Sequence, residues 1–209
     1  MYVFTRSRRV DPEHFTKAME SVVELTEHAR KITGRQIDAW TAVMSPEVGT
    51  IVWSLWAEKI GDIEQGGDAL AADSGFMKLV EKYDDLYEGP YVDGIATVVH
   101  GDVDPSDTSY EYVGVAVATL ANGRLQEGIA AGIEIAEAVT KATGDNTLFT
   151  VNNTGIFGGV AWITPMANVA AVDAGEAALT ASAEWLPLLD RVGSAFNPGA
   201  SQGFYRRIA

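Results

Sequence analysis

Chemistry needs groups that titrate, ligate or react, and this sequence holds few of them. Cysteine is absent, which removes thiolate nucleophiles, thiolate metal sites and disulfides, and fits a reducing compartment. There are three histidines, His14, His28 and His100. His14 falls in the first turn of an expected helix. His28 lies late in the same helix, where positive charge is favoured. His100 ends an expected strand close to Asp102 and is the best-placed general base, because imidazole titrates near neutrality. A water-exposed strand end is the plainer reading of it. No histidine pair at helical spacing and no carboxylate–histidine spacing outlines a metal site, so neither metal nor cofactor is expected. There is also no Gly-rich phosphate loop, nucleophile elbow or Ser-His-Asp pattern.

The aromatic residues carry more information. Trp40, Trp53 and Trp56 fall on one expected hairpin, and a wide aromatic wall suits a flat apolar ligand. Core packing competes with that reading for at least two of the three. Tyr83, Tyr87 and Tyr91 surround the end of the following helix, as pocket mouth or as aromatic plug. With Phe76 from that helix, the candidate ligand-binding set is Trp40, Trp53, Trp56, Phe76, Tyr83 and Tyr87. Asn152 and Asn153 are polar strand-end residues that suit either a ligand or a turn. Asp62, Glu64 and Asp68 read as a solvated acidic loop.

The elements that must position these groups can be read in order. Tyr2–Thr5 reads as a strand. Asp11-Pro12-Glu13 announces a helix, with an acceptor at the cap, proline first and acid in the first turn. That helix runs to about Thr33, burying Phe15, Met19, Val22, Val23, Thr26 and Ala29. Strands follow at 36–43 and 50–58. The second of them is apolar on both faces, so cover is expected on both. A polar connection at 62–67 precedes a helix at 69–82 and a strand at 94–100. The order βαββαβ is the ferredoxin-like plan. The second half repeats it, with a strand at 110–120 and a helix from Asn122-Gly123 to Lys141. A hairpin of 148–152 and 158–163, helices at 169–183 and 185–196 and a strand at 202–208 complete it.

A shift of 110 residues superposes the halves without a gap. It pairs Glu24 with Glu134, Lys31 with Lys141, Gly34 with Gly144, Gly49 with Gly159 and Ala57 with Ala167. Gly34 and Gly144 each stop a helix, where a left-handed residue is needed. The expected organisation is a first repeat at 1–101, a linker at 102–109 and a second repeat at 110–209. The Trp pair of the first repeat is thinned to Trp162 in the second, which places the expected site in the first.

The bulk numbers narrow the partners. A hydrophobic content of 47% supports a real core. The net charge of -14 disfavours nucleic acid and anionic lipid. No apolar stretch is long enough to span a membrane, and none near the start is long enough for a signal peptide; a cytoplasmic, soluble protein is expected.

With its α+β order, its tandem copies and the segment Val48-Gly49-Thr50-Ile51-Val52-Trp53-Ser54-Leu55-Trp56 before a helix bearing Phe76 and Met77, the chain resembles the dimeric α+β-barrel superfamily. That group includes antibiotic-biosynthesis-type monooxygenases, haem-degrading enzymes, EthD-like and NIPSNAP-like proteins. The resemblance implies two ferredoxin-like units with antiparallel sheets packed back to back, and pockets between each sheet and its helices. The haem-degrading branch uses a histidine on the second helix, and neither half has one there. Fold alone does not give function. Two functions follow as expectations: binding or metal-free oxidation of a small aromatic or apolar molecule, with His100 or a tyrosine assisting, or a non-catalytic assembly protein forming a stable homo-oligomer.

Overall fold

The computed structural model describes all residues, Met1–Ala209. The first strand, β1, spans Tyr2–Val10, five residues beyond the expected end. Its charged extension is tolerated because the charges are satisfied. Arg6 meets Asp93 through two 2.7 Å hydrogen bonds. Arg8, only 8% exposed, donates to Asp84 Oδ1 at 2.7 Å and to the Gly89 carbonyl at 3.0 Å. Asp11 then caps a short 3-10 turn, its Oδ1 accepting from the Glu13 amide at 2.9 Å. The helix α1, Phe15–Thr33, follows and ends at Gly34 with φ +66°. Its buried face is Ala18, Ser21, Val22, Leu25, Thr26 and Ala29. Phe15 and Val23, expected inside, are exposed.

Next come β2 (Asp38–Ala42) and β3 (Thr50–Ala57). The polar connection expected at 62–67 is helical. It belongs to α2, Ile60–Ala72, which buries no residue fully. A break at Asp73, extended at φ -84° and ψ 106°, starts α3 (Ser74–Tyr83) by capping the Phe76 amide at 2.7 Å. The strand β4 spans Tyr87–His100, starting seven residues earlier than expected. The second half supplies β5 (Tyr112–Thr119), α4 (Leu125–Thr143), β6 (Leu148–Asn152) and β7 (Gly159–Met166). It closes with α5 (Val169–Ala181), α6 (Trp185–Val192) and β8 (Ser201–Arg207).

The hydrogen-bonded strand order is β1-β3-β2-β8-β5-β7-β6-β4, a closed barrel, and the class is α+β. The chain divides into two compact units. Unit one is Met1–Ile95 with Tyr205–Ala209; unit two is Ala96–Phe204. In unit one, β3 pairs antiparallel with both β1 and β2, and Tyr205–Arg207 of β8 pair with β2. In unit two, β7 pairs with both β5 and β6, and Ala96–His100 of β4 pair with β6, with a bulge between Val98 and His100. The fourth strand of each half keeps its place beside the first strand of that half, β8 next to β5 and β4 next to β1 where the barrel closes, while Tyr205–Arg207 also pair with β2 and Ala96–His100 with β6.

Strand register fixes which residues correspond. Trp53 lies opposite Arg6 and Ala39, and Trp162 lies opposite Ala116 and Phe149. The shift is thus 110 up to the hairpin but 109 after it. The cause is hairpin length: seven residues separate β2 from β3 and six separate β6 from β7. The counterpart of Gly49, with φ +93°, is Gly158, with φ +73°, rather than Gly159. An ungapped match runs one residue out of step here, and in a strand one residue reverses the face.

Unit one's core gathers Val10, Ala18, Val22, Ala39, Ile51 and Tyr87. Unit two's core centres on Phe149, Ala136, Val160, Trp162 and Leu120. Helix α4 sits close to its sheet because Gly132 faces the Phe149 ring, where a Cβ would come within 2.1 Å. The Gly128-x-x-x-Gly132 spacing is a packing device of this kind.

Candidate functional site

A cavity of about 560 Å³ lies in unit two, between the helices and the sheet. That volume is in the range of small-molecule sites, roughly 300–1,000 Å³. It exists because one face of β5 is small. Gly114, Ala116 and Ala118 form its floor. Their counterparts on β1 are Phe4, Arg6 and Arg8. There the Arg6 guanidinium lies 5.8 Å from the Phe4 ring and 5.4 Å from Tyr91, and Arg8 lies 5.2 Å from Tyr87 and 4.8 Å from Tyr91. Where unit two has small residues on this strand face, unit one has large ones stacked on aromatic rings.

The walls are apolar. Ile135 and Val139 come from α4, Val172 and Leu179 from α5, and Trp185 and Leu189 from α6. Trp162 stands on β7 with its ring 5.3 Å from Phe149 and 5.5 Å from Phe196, the latter edge-on. Its Nε1 donates to the Gly132 carbonyl at 2.8 Å, so the indole N–H is already satisfied.

Polar groups are few. Thr147 and Thr164 share a 2.9 Å hydrogen bond between their hydroxyls. They face each other across β6 and β7, where unit one has Ile37 and Leu55. Asp145, placed by the Gly144 helix stop at φ +82°, lines the cavity with Thr143, Thr147 and Glu176. Burial alone pushes the Asp145 carboxyl above its ordinary range. The lining contains no histidine, cysteine or tyrosine. It therefore offers no histidine, thiolate or phenolate to hold haem iron, and its one thioether, Met166, packs against Gly114, so the lining does not suit haem. No group of three His, Asp or Glu side chains is placed to hold a metal ion.

None of the candidate site residues, His100, Trp40, Trp53, Trp56, Phe76, Tyr83 and Tyr87, lines this cavity; Trp162, noted as the remnant of the Trp pair, does. Trp53, Tyr83 and Tyr87 do come together, in the core of unit one. Trp53 Nε1 donates to Thr26 Oγ1 at 3.1 Å, and its ring lies 6.3 Å from Tyr87. The Tyr87 hydroxyl shares a 2.7 Å bond with Ser21 Oγ, and burial pushes its pKa up to about 12. The Tyr83 hydroxyl donates to Glu24. Trp40 and Trp56 stand on the opposite face of the sheet from Trp53, because Trp40 pairs with Val52 while Ala39 pairs with Trp53. Trp40 donates to Ser54 Oγ at 2.9 Å and stacks on Arg207 at 4.8 Å. Phe76 is half-buried on α3. His100 is half-buried at the bulged end of β4, opposite Phe149. Asp145, which drew no assignment from the sequence, and the small residues of β5, which read only as a strand, were missed. The contrast of Gly114, Ala116 and Ala118 with Phe4, Arg6 and Arg8 was the available signal.

No protein-family model matches the sequence, and no curated protein matches it. Solved structures do. A candidate monooxygenase from Fusobacterium nucleatum aligns with 100% of this chain and 92% of its own, at TM-score 0.71 and 8% identity. An anthrone oxidase-like protein aligns over 100% and 91%, at TM-score 0.70 and 12% identity. A candidate monooxygenase from Lactobacillus acidophilus aligns over 100% and 94%, at TM-score 0.68 and 8% identity. Identities this low speak for the fold: the chain has the dimeric α+β-barrel fold of the monooxygenase-like structures it resembles.

Proposed function

We propose that this chain binds a small, flat, largely apolar molecule in the cavity of unit two and oxidises it with molecular oxygen, without a metal. The observation that carries the reading is the cavity itself: about 560 Å³, apolar on floor and walls, with a short polar end. The likeness to candidate monooxygenases and to an anthrone oxidase-like protein supports an oxidation. The chemistry suited to such a site starts from a substrate whose carbanion is delocalised. A methylene loses a proton, and the carbanion adds O₂ to give a hydroperoxide. That species eliminates water and leaves a carbonyl, so CH₂ and O₂ become C=O and H₂O. The protein's part is to hold the ring system, exclude bulk water and supply a proton acceptor.

The test is a thermal-shift screen with tricyclic aromatic ketones and quinones, followed by oxygen-uptake measurement with each stabilising compound. Stabilisation by several such compounds, with oxygen uptake above the buffer rate for those bearing an acidic methylene, is expected. Stabilisation without uptake overturns the oxidation and leaves the binding. No shift with any compound, together with a large homo-oligomer by light scattering, favours the assembly role instead.

A further inference from the structure

Unit two is short of positive charge. Residues 96–204 contain three Lys and Arg against twelve Asp and Glu, a formal charge of -9. All three cations are already engaged with glutamates. Arg124 donates to Glu127 at 2.8 Å, Lys141 to Glu184 at 2.7 Å and Arg191 to Glu134 at 3.0 Å. Asp145 and Glu176 both line the cavity, and neither has a salt-bridge partner. Unit one shows what this position looks like when it is neutralised. The counterpart of Asp145 is Arg35, whose Nη2 lies 3.6 Å from Asp62 Oδ1. The counterpart of Asp62 in unit two is Ala171. An internal ion pair in one unit is thus replaced in the other by an unpaired carboxylate facing an open, apolar space.

We infer that the ligand of this cavity is a flat aromatic molecule bearing a protonated amine, and that Asp145 is the residue that selects it. The inference rests on the cavity reading above and narrows its ligand class. An unpaired carboxylate partly removed from water is costly, and a cation from outside removes that cost. Trp162, Trp185, Phe196 and Phe204 in the lining give such a cation aromatic rings as well. The acidic surface of the unit draws cations toward the mouth, where exposed Glu176 stands. Neutral and anionic isosteres gain none of these interactions.

Calorimetric titration with a matched trio tests this: 2-naphthylmethylamine, 2-naphthylmethanol and 2-naphthoate at pH 7 and low salt. The amine is expected to bind at least tenfold tighter than the alcohol, and the carboxylate weakest. Asp145→Asn should cut the amine preference to threefold or less while the alcohol keeps its affinity. A salt titration of the unmodified protein should reduce amine binding alone, a readout independent of any variant. Equal binding of amine and alcohol overturns the inference but keeps the cavity as a binding site. A preference that survives Asp145→Asn also overturns it. Binding by none of the three overturns both this inference and the cavity reading.

Discussion

At the scale of single residues, burial raises the pKa of both Asp145 and Tyr87, in two different pH windows. Burial raises the Asp145 carboxyl above its ordinary 3.8, so ionisation opposes folding. That penalty is absent below about pH 3.8, where folded and unfolded forms are both protonated, and is complete once the pH exceeds the folded value. Asp145→Asn should therefore raise the melting temperature at pH 7, and the gain should shrink as the pH falls through the raised folded value and be gone below about pH 3.8. A gain that is the same at pH 7 and pH 3, or a loss at pH 7, would contradict the unpaired carboxylate. Tyr87 is buried as a neutral phenol, with a folded pKa of about 12 against an ordinary 10.0. Its stabilisation holds below pH 10 and is lost as the pH rises through 12. Tyr87→Phe leaves Ser21 Oγ still donating to the Ala18 carbonyl at 2.8 Å and removes one buried bond. The expected cost is about 1 kcal/mol in denaturant unfolding. No change in midpoint would show that this bond contributes nothing.

At the scale of elements, the separation of α4 from its sheet depends on a glycine. Gly132→Ala would push a methyl into the Phe149 ring and should cost about 1–3 kcal/mol or more. At Gly193 an added Cβ meets no atom within 4 Å and φ is -57°, so Gly193→Ala should be neutral. Equal melting temperatures for the two variants would remove the packing argument. This scale also shows what the sequence could reveal. The ends of α1 and α4 were legible because Gly34 and Gly144 signal helix stops, and the strands because Val, Ile, Thr and Trp alternate. Helix α2 was not: its glycines and acids resemble a connection, and with no fully buried residue it leaves a weak apolar stripe. The arginines of β1 obscured its length for a different reason. Their partners, Asp84 and Asp93, lie more than 75 residues away in the chain.

At the scale of the whole molecule, one plan of elements is executed twice with different contents. The class and order of elements followed from periodicity and turn residues, and they agree with the strand order that closes the barrel. The location of an open space did not follow. A cavity is a property of paired side-chain volumes, and it depends on which residues share a face. One residue fewer in the second hairpin moves every later match out of register, which hid Trp162 as the partner of Trp53. Aromatic content pointed to unit one, where Trp53, Tyr83 and Tyr87 pack into the core. Small residues on one face of β5, rather than large ones, mark the open unit.

Ligand binding in the cavity of unit two is tested most directly by paired variants. The compound giving the largest thermal shift is titrated against Ala116→Phe, Ala118→Leu and Trp53→Phe. Filling the floor should raise the melting temperature of the free protein by a few degrees and abolish the ligand-induced shift. Trp53→Phe should lower the free protein's melting temperature and leave the ligand-induced shift intact. A shift that persists in both floor variants and disappears in Trp53→Phe would contradict the account and move the site to unit one.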